Sequence, residues 1–146
     1  MVISRHIHSR NLMTMPEDNN SIIIYQSEDG NTRIDVKFTG ETVWLSQQQM
    51  AELYQTTRPN IVQHIRNIYA DGELDEPATC KNFLQVRQEG NRQVAREIPF
   101  YNLDMIISLG YRIRSVIATR FRRWATELNY ENQRLADEKP IKTRIS

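Results

Sequence analysis

The stretch Ser46-Gln47-Gln48-Gln49-Met50-Ala51-Glu52-Leu53-Tyr54-Gln55-Thr56-Thr57-Arg58-Pro59-Asn60-Ile61-Val62-Gln63-His64-Ile65-Arg66-Asn67-Ile68-Tyr69 reads as two short helices around a three-residue turn. Ser46 followed three residues later by Gln49 fits a capping box, so a helix begins there and carries Met50, Ala51, Leu53 and Tyr54 inward. It stops in Gln55-Thr56-Thr57, where Thr57 can cap a second helix that tolerates Pro59 in its first turn. In the second helix Ile61, Ile65 and Ile68 recur at spacings of four and three, one apolar stripe, and Asp71-Gly72 ends it. A small residue, Ala51, faces the second helix. Together these features meet the requirements of a helix-turn-helix.

With the isoleucines turned inward, steps of about 100° put Asn60, Gln63, Arg66 and Asn67 on the outer face, with Thr57 and Arg58 at its amino-terminal edge. Asn and Gln donate and accept together at an adenine edge, and Arg offers a fork to guanine or a charge to phosphate. The competing reading is an ordinary amphipathic helix with a solvated polar face. Against it, no acid occurs from Leu53 to Ala70, whereas solvated faces usually mix charges.

Working outward, the net charge of +1 conceals an uneven distribution. From Glu17 to Thr57 there are seven acids and two bases, and from Arg58 to Thr126 eleven bases and seven acids. Four of the latter acids, Asp71, Glu73, Asp75 and Glu76, crowd into one loop, and Met105 to Arg123 has five arginines and no acid. Positive charge is therefore local, as docking on a polyanion requires.

Ahead of the helix pair, Ile22 to Gln26 and Thr32 to Phe38 flank Asp29-Gly30 as a hairpin in which Ile34, Val36 and Phe38 alternate with polar residues, and Thr42 to Leu45 adds a third strand. Beyond the acidic loop, Asn82 to Gln88 and Gln93 to Ile98 flank Glu89-Gly90-Asn91-Arg92 as a second hairpin. Its arginines, Arg87, Arg92 and Arg96, suit a wing, although a hairpin that merely completes the sheet would read the same way. Asn102 caps a helix that Gly110 should end, and Ser115 opens another with Val116, Ala118, Phe121, Trp124, Ala125 and Leu128 on its stripe. Arg112 and Arg114 are further candidates for phosphate contact. Residues 1–20 read as a disordered leader, 21–128 as the domain, and 129–146 as a flexible or frayed tail.

Enzymatic chemistry finds no foothold. His6 and His8 lie in the leader, His64 has no Cys, Asp or Glu at metal-ligand spacing, and the single cysteine, Cys80, can neither form an internal disulfide nor begin a zinc site. No phosphate-binding glycine loop, nucleophile elbow or zinc-protease motif occurs. A mean hydropathy of −0.62 and the lack of a long apolar run or signal peptide point to the cytoplasm. No cofactor, metal, membrane or small-molecule substrate is expected.

Several strings resemble the RhuM virulence-protein family: Thr42 to Gln47, Met50 to Thr57, Asn60-Ile61, His64 to Tyr69, Gly72 to Asp75, Tyr101 to Arg112 and Arg120 to Thr126. The last is also similar to part of phage Bro-type antirepressor domains. The resemblance implies a bacterial mobile-element setting and, by analogy, DNA binding or regulation; longer relatives sometimes carry Fic-type domains, whose motif is absent here. Two features depart from the pattern. Gln55-Thr56 occupies a turn that often holds glycine and an aliphatic residue, so either Gln55 is left-handed at about 1 kcal/mol or the turn differs. Beyond Leu128 the chain leaves the family's Tyr-rich continuation.

The sequence thus predicts an α+β domain: a small N-terminal sheet, a helix-turn-helix with a winged-helix-like hairpin, and C-terminal helices. The expected partner is double-stranded DNA, read with the Arg58–Tyr69 helix by a transcription regulator or antirepressor. A homodimer mate or a regulatory protein is the further partner considered. The alternative function is a protein-interaction module or antitoxin-like partner of a repressor or toxin.

Overall fold

The computed structural model describes residues 21–128, so the expectations for the leader and the tail lie outside the described residues. The amino-terminal hairpin forms as read: β1 (Ser21–Gln26) pairs antiparallel with β2 (Arg33–Thr39), from Ser21 opposite Phe38 to Gln26 opposite Arg33. Between them Asp29 accepts from the Ser27 hydroxyl at 2.6 Å and the Asn31 amide at 3.0 Å, an Asx arrangement that fixes the turn. β3 (Thr42–Ser46) follows β2 through Glu41, which sits at φ 69°, and pairs back on it.

Two helices follow. In α1 (Gln47–Tyr54) both halves of the capping box are present: Ser46 Oγ accepts from the Gln49 amide at 3.2 Å, and Gln49 Oε1 accepts from the Ser46 amide at 3.0 Å. Thr57 Oγ1 caps α2 (Arg58–Ala70) by accepting from the Asn60 amide at 3.2 Å. Each such cap is worth about 1 kcal/mol. Gln55 adopts the left-handed conformation, φ 56° and ψ 50°, so the first of the two alternatives for the turn holds. Part of that local cost is offset because its backbone amide reaches back to α1 and its side-chain carbonyl accepts from Arg114 Nη1 at 3.1 Å.

The acidic loop contains a single turn of helix, α3 (Glu76–Thr79), which alternation and stripe patterns are too coarse to detect. Then β4 (Cys80–Glu89) and β5 (Arg92–Asn102) form a hairpin longer than its charged centre suggests. Its tip is Gly90-Asn91, with Gly90 at φ 62°, the left-handed start a two-residue turn favours. At its base β5 pairs with β3, Leu45 opposite Tyr101, which yields one antiparallel sheet of order β1-β2-β3-β5-β4. The ladder with β3 stops at Ser46 opposite Phe100, where the next residue of β5 is Pro99, which has no N–H to give.

Asn102 caps α4 (Leu103–Ile113), accepting from the Met105 amide at 3.3 Å. Gly110 does not end this helix, contrary to expectation. It lies inside it because a Cβ there would collide with the Ala118 Cβ and the Tyr54 ring. Glycine here serves close packing rather than termination. The final helix, α5, spans 115–128. Its stripe is the predicted one except at its start: Val116 is 59% exposed and Ile117 packs in its stead, while Ala118, Phe121 and Ala125 are buried with Trp124 and Leu128 beside them. Tyr25 meets both Phe121 and Trp124 edge-on at 5.0 Å, so α5 is clamped to β1.

The core lies between one face of the sheet, contributed by Ile23, Ile34, Val36, Val43 and Leu45, and the helices, contributed by Met50, Leu53, Ile61, Ile65, Ile68, Met105, Ile106, Leu109 and Phe121. Tyr54 sits fully buried at its centre and donates its hydroxyl to the Ile106 carbonyl, a bond that spares the phenol an unpaired burial. Among the described residues no helix is long and apolar enough to cross a membrane.

Candidate nucleic-acid interface

The buried stripe of α2 is the one read from the sequence: Ile61, Ile65 and Ile68 are all buried. That phase leaves Arg58, Gln63, Arg66 and Asn67 exposed and Asn60 half-buried. Their present engagements are light. Gln63 Nε2 donates to Asn67 Oδ1 at 3.3 Å, which leaves Gln63 Oε1 and the Asn67 amide hydrogens unspent. Asn60 Nδ2 donates to Thr56 Oγ1 at 3.0 Å, holding that side chain back against the turn. Arg66 carries no hydrogen bond or ion pair among the described residues. Thr57 Oγ1 accepts from the Asn60 amide for its helix, which leaves its hydrogen and one lone pair for a ligand.

At the amino-terminal edge of α2, Arg58 is steered rather than free. Its Nε donates to Gln47 Oε1 at 3.1 Å, and Gln47 Nε2 donates to the Tyr101 hydroxyl at 3.1 Å. Burial pushes the Tyr101 phenol up to about 12, so it stays a neutral partner at physiological pH. The relay links α2, α1 and β5. Beside it lies a groove of about 330 Å³ lined by Ser46, Gln47, Gln48, Arg58, Arg87, Ile98 and Pro99. Arg58 and Arg87, 29 positions apart in sequence, thus border one concavity. Gln47 and Gln48 were not among the expected contacts; their glutamine-rich first turn was the available signal, absorbed there by the capping box.

The β4–β5 hairpin leaves the body beyond its base. Leu84 and Val86 are 66% and 63% exposed, and Arg87, Arg92 and Arg96 are exposed as well. Arg92 at the tip has no side-chain partner among the described residues. Arg96 is taken: both Nε and Nη2 bond the Glu89 carboxylate at 2.9 Å, which lowers the Glu89 pKa through those bonds. The base of the hairpin completes the sheet through β3, and its outer half is exposed.

Arg112 and Arg114 are not brought to this surface. Arg112 Nη2 pairs with Glu73 at 2.8 Å and Asp71 at 3.4 Å, tying the end of α4 to the loop after α2. Arg114 lies under the α1–α2 turn, bonded to Gln55, in a cleft it shares with Glu28, Asp29 and Arg120. Their partners lie 39 to 59 residues away in sequence, beyond the reach of a local charge pattern. No group of three or more metal-ligating side chains occurs among the described residues, and His64 stands alone with its Nδ1 buried and unbonded.

The strings at Tyr101 to Arg112 and Arg120 to Thr126 fall on the end of β5, α4 and α5, the elements that close the core behind the helix pair. Residues 78–134 match the virulence protein RhuM family. The RhuM match covers the projecting hairpin, α4 and α5, and it runs past Leu128, where a departure from the family was expected. The helix pair lies outside the matched residues. Neither a curated protein nor a solved structure matches the chain significantly.

Proposed function

We propose that the chain is a non-enzymatic DNA-binding regulatory protein, a transcription regulator or antirepressor acting in the cytoplasm, that lays α2 in the major groove of duplex DNA. One observation carries this reading: the outer face of α2 presents Gln63, Arg66 and Asn67 without a single acid, flanked by a groove bordered by Arg58 and Arg87. In this reading Gln63 and Asn67 meet base edges with their unspent amide groups, and Arg66 reaches guanine or phosphate. Arg58, held by Gln47, is preset for a phosphate at the groove margin. Arg92 on the projecting hairpin grips the backbone from the side. Arg112 and Arg114 have structural work and are not assigned contacts.

Binding to duplex libraries by purified protein, followed by titration of the selected site, tests the proposal. Arg66→Ala and Gln63→Ala should each lose about 1 to 3 kcal/mol on the selected site while the thermal transition stays put. Equal binding by both variants and the parent would remove α2 as the reading element. A second reading, a protein-interaction module or antitoxin-like partner, is favoured by the exposed Leu84 and Val86. Salt separates the two, because affinity that rests on phosphate contacts falls steeply with ionic strength and affinity that rests on apolar contact does not.

A further inference from the structure

β4 is an edge strand: in the sheet order it pairs with β5 on one side and with no strand among the described residues on the other. It is ten residues long, continuous and without a bulge in its ladder, the kind of edge that proteins either blunt or use. A two-residue turn makes Glu89 and Arg92 a hydrogen-bonded pair, so the odd-numbered residues of β4 bond β5. The N–H and C=O groups of Asn82, Leu84, Val86 and Gln88 then point to the open edge. Pro99 agrees with this alternation, since opposite Asn82 it owes β4 no N–H.

We propose that this edge is a homodimer interface, in which β4 pairs antiparallel with β4 of a second copy about a two-fold axis at Gln85. The strand is complementary to itself in that register. Lys81 faces Glu89 of the second copy, Asn82 faces Gln88, Phe83 faces Arg87, Leu84 faces Val86, and Gln85 faces its own image. Opposite charges, paired amides, a cation on an aromatic ring and an apolar pair are the cross-strand matches that stabilise sheets. Neighbouring registers lose this. With the axis at Leu84, Lys81 meets Arg87, and with the axis at Val86, Phe83 meets Glu89. A slip of one residue would oppose the two faces of the sheet. Two-fold pairing also covers Leu84 and Val86, the most exposed large apolar residues described. Within one copy Lys81 lies over the Trp44 ring at 5.5 Å and Glu89 binds Arg96, so both side chains turn from those contacts to meet their cross-copy partners.

Sedimentation equilibrium of the full chain without DNA tests the interface separately from DNA reading. The parent should show twice the 17.2 kDa of one chain. Lys81→Glu or Glu89→Lys alone sets like charges across the interface twice by symmetry and should weaken self-association by about tenfold or more. The double variant Lys81→Glu/Glu89→Lys should recover it. The contacts with Trp44 and Arg96 stay broken in the double variant, so recovery can come only from the cross-copy pair. Gln85→Cys in a Cys80→Ser background should link to its image on oxidation, because facing Cβ atoms lie about 4.5 to 5.5 Å apart. A one-chain mass at every concentration, or a double variant no better associated than the singles, would overturn the proposal; circular dichroism shows that each variant is folded.

Discussion

Two of the antiparallel hairpins, β1–β2 and β4–β5, are of like construction and unlike fate. In β1–β2 the alternating residues Ile34, Val36 and Phe38 belong to the core cluster and are sealed from water, Ile34 at 2% exposure. In β4–β5 the corresponding alternation, Leu84 and Val86, stands in solvent at 66% and 63%. Strand period alone is the same in both. What differs is which neighbour arrives to cover the apolar face, and that is decided by the β3–β5 ladder, which docks only the base of the second hairpin. One hairpin is therefore a wall of the core and the other an arm.

Matched truncations should separate the two most sharply. Ile34→Ala is expected to lower stability by about 2 to 5 kcal/mol, since it removes buried methyls and leaves a cavity. Leu84→Ala should change the stability of the monomer by no more than about 0.5 kcal/mol. Urea unfolding of both variants at protein concentrations low enough to hold a single copy measures the contrast, and comparable losses there would mean that the arm packs against the body of its own copy.

Much of this is legible in the amino-acid sequence. Ser46, Thr57 and Asn102 each announce a helix start through local chemistry that depends on residues within three positions, and all three caps form as expected. The isoleucine stripe of α2 and the first hairpin were legible for the same reason: the period is local. Where distant partners decide, the sequence was silent or misleading. Gly110 carries the usual mark of a helix end, yet what selects glycine there is the approach of Tyr54 and Ala118. Val116 looks like core until α5 settles its phase through Phe121 and Trp124 against Tyr25. The groove joining Arg58 to Arg87 exists only because β5 takes its place beside β3.

Gly110→Ala should destabilise by about 1 to 3 kcal/mol by forcing Tyr54 or α5 aside, even though alanine is the better helix former by about 1 kcal/mol. Thermal melts distinguish the outcomes: a stabilised variant would mean that the Tyr54 ring moves away freely and that α4 and α5 are not tightly packed at this point. The arm has its own, smaller test. Arg92→Ala should leave folding untouched, weaken specific and non-specific DNA binding together, and reduce the salt slope by about one unit, because a phosphate contact positions without reading sequence. An unchanged slope would confine the DNA-facing surface to α2 and the groove.

The smallest effect belongs to the joint between the α2 and α4 ends, where Arg112 holds Glu73 and Asp71. The bond from Arg112 keeps the Glu73 carboxyl below its ordinary 4.5. A carboxyl whose pKa is depressed in the folded state contributes stability above its unfolded pKa and loses it as pH falls through the folded value. The Arg112 and Glu73 side chains keep 30% and 43% of their surface in water, so screening removes part of the pair's attraction. Arg112→Ala should therefore lower the melting temperature slightly at neutral pH, and the gap to the parent should close as pH falls below about 4.5, where Glu73 takes up its proton in both proteins. High salt should narrow the gap as well. DNA affinity at fixed salt should change little, because this guanidinium is committed to the loop after α2. If Arg112→Ala instead left the melting curve unchanged and cut DNA affinity, Arg112 would leave its carboxylates on binding, and the DNA-facing surface would extend along α2 to its carboxyl end.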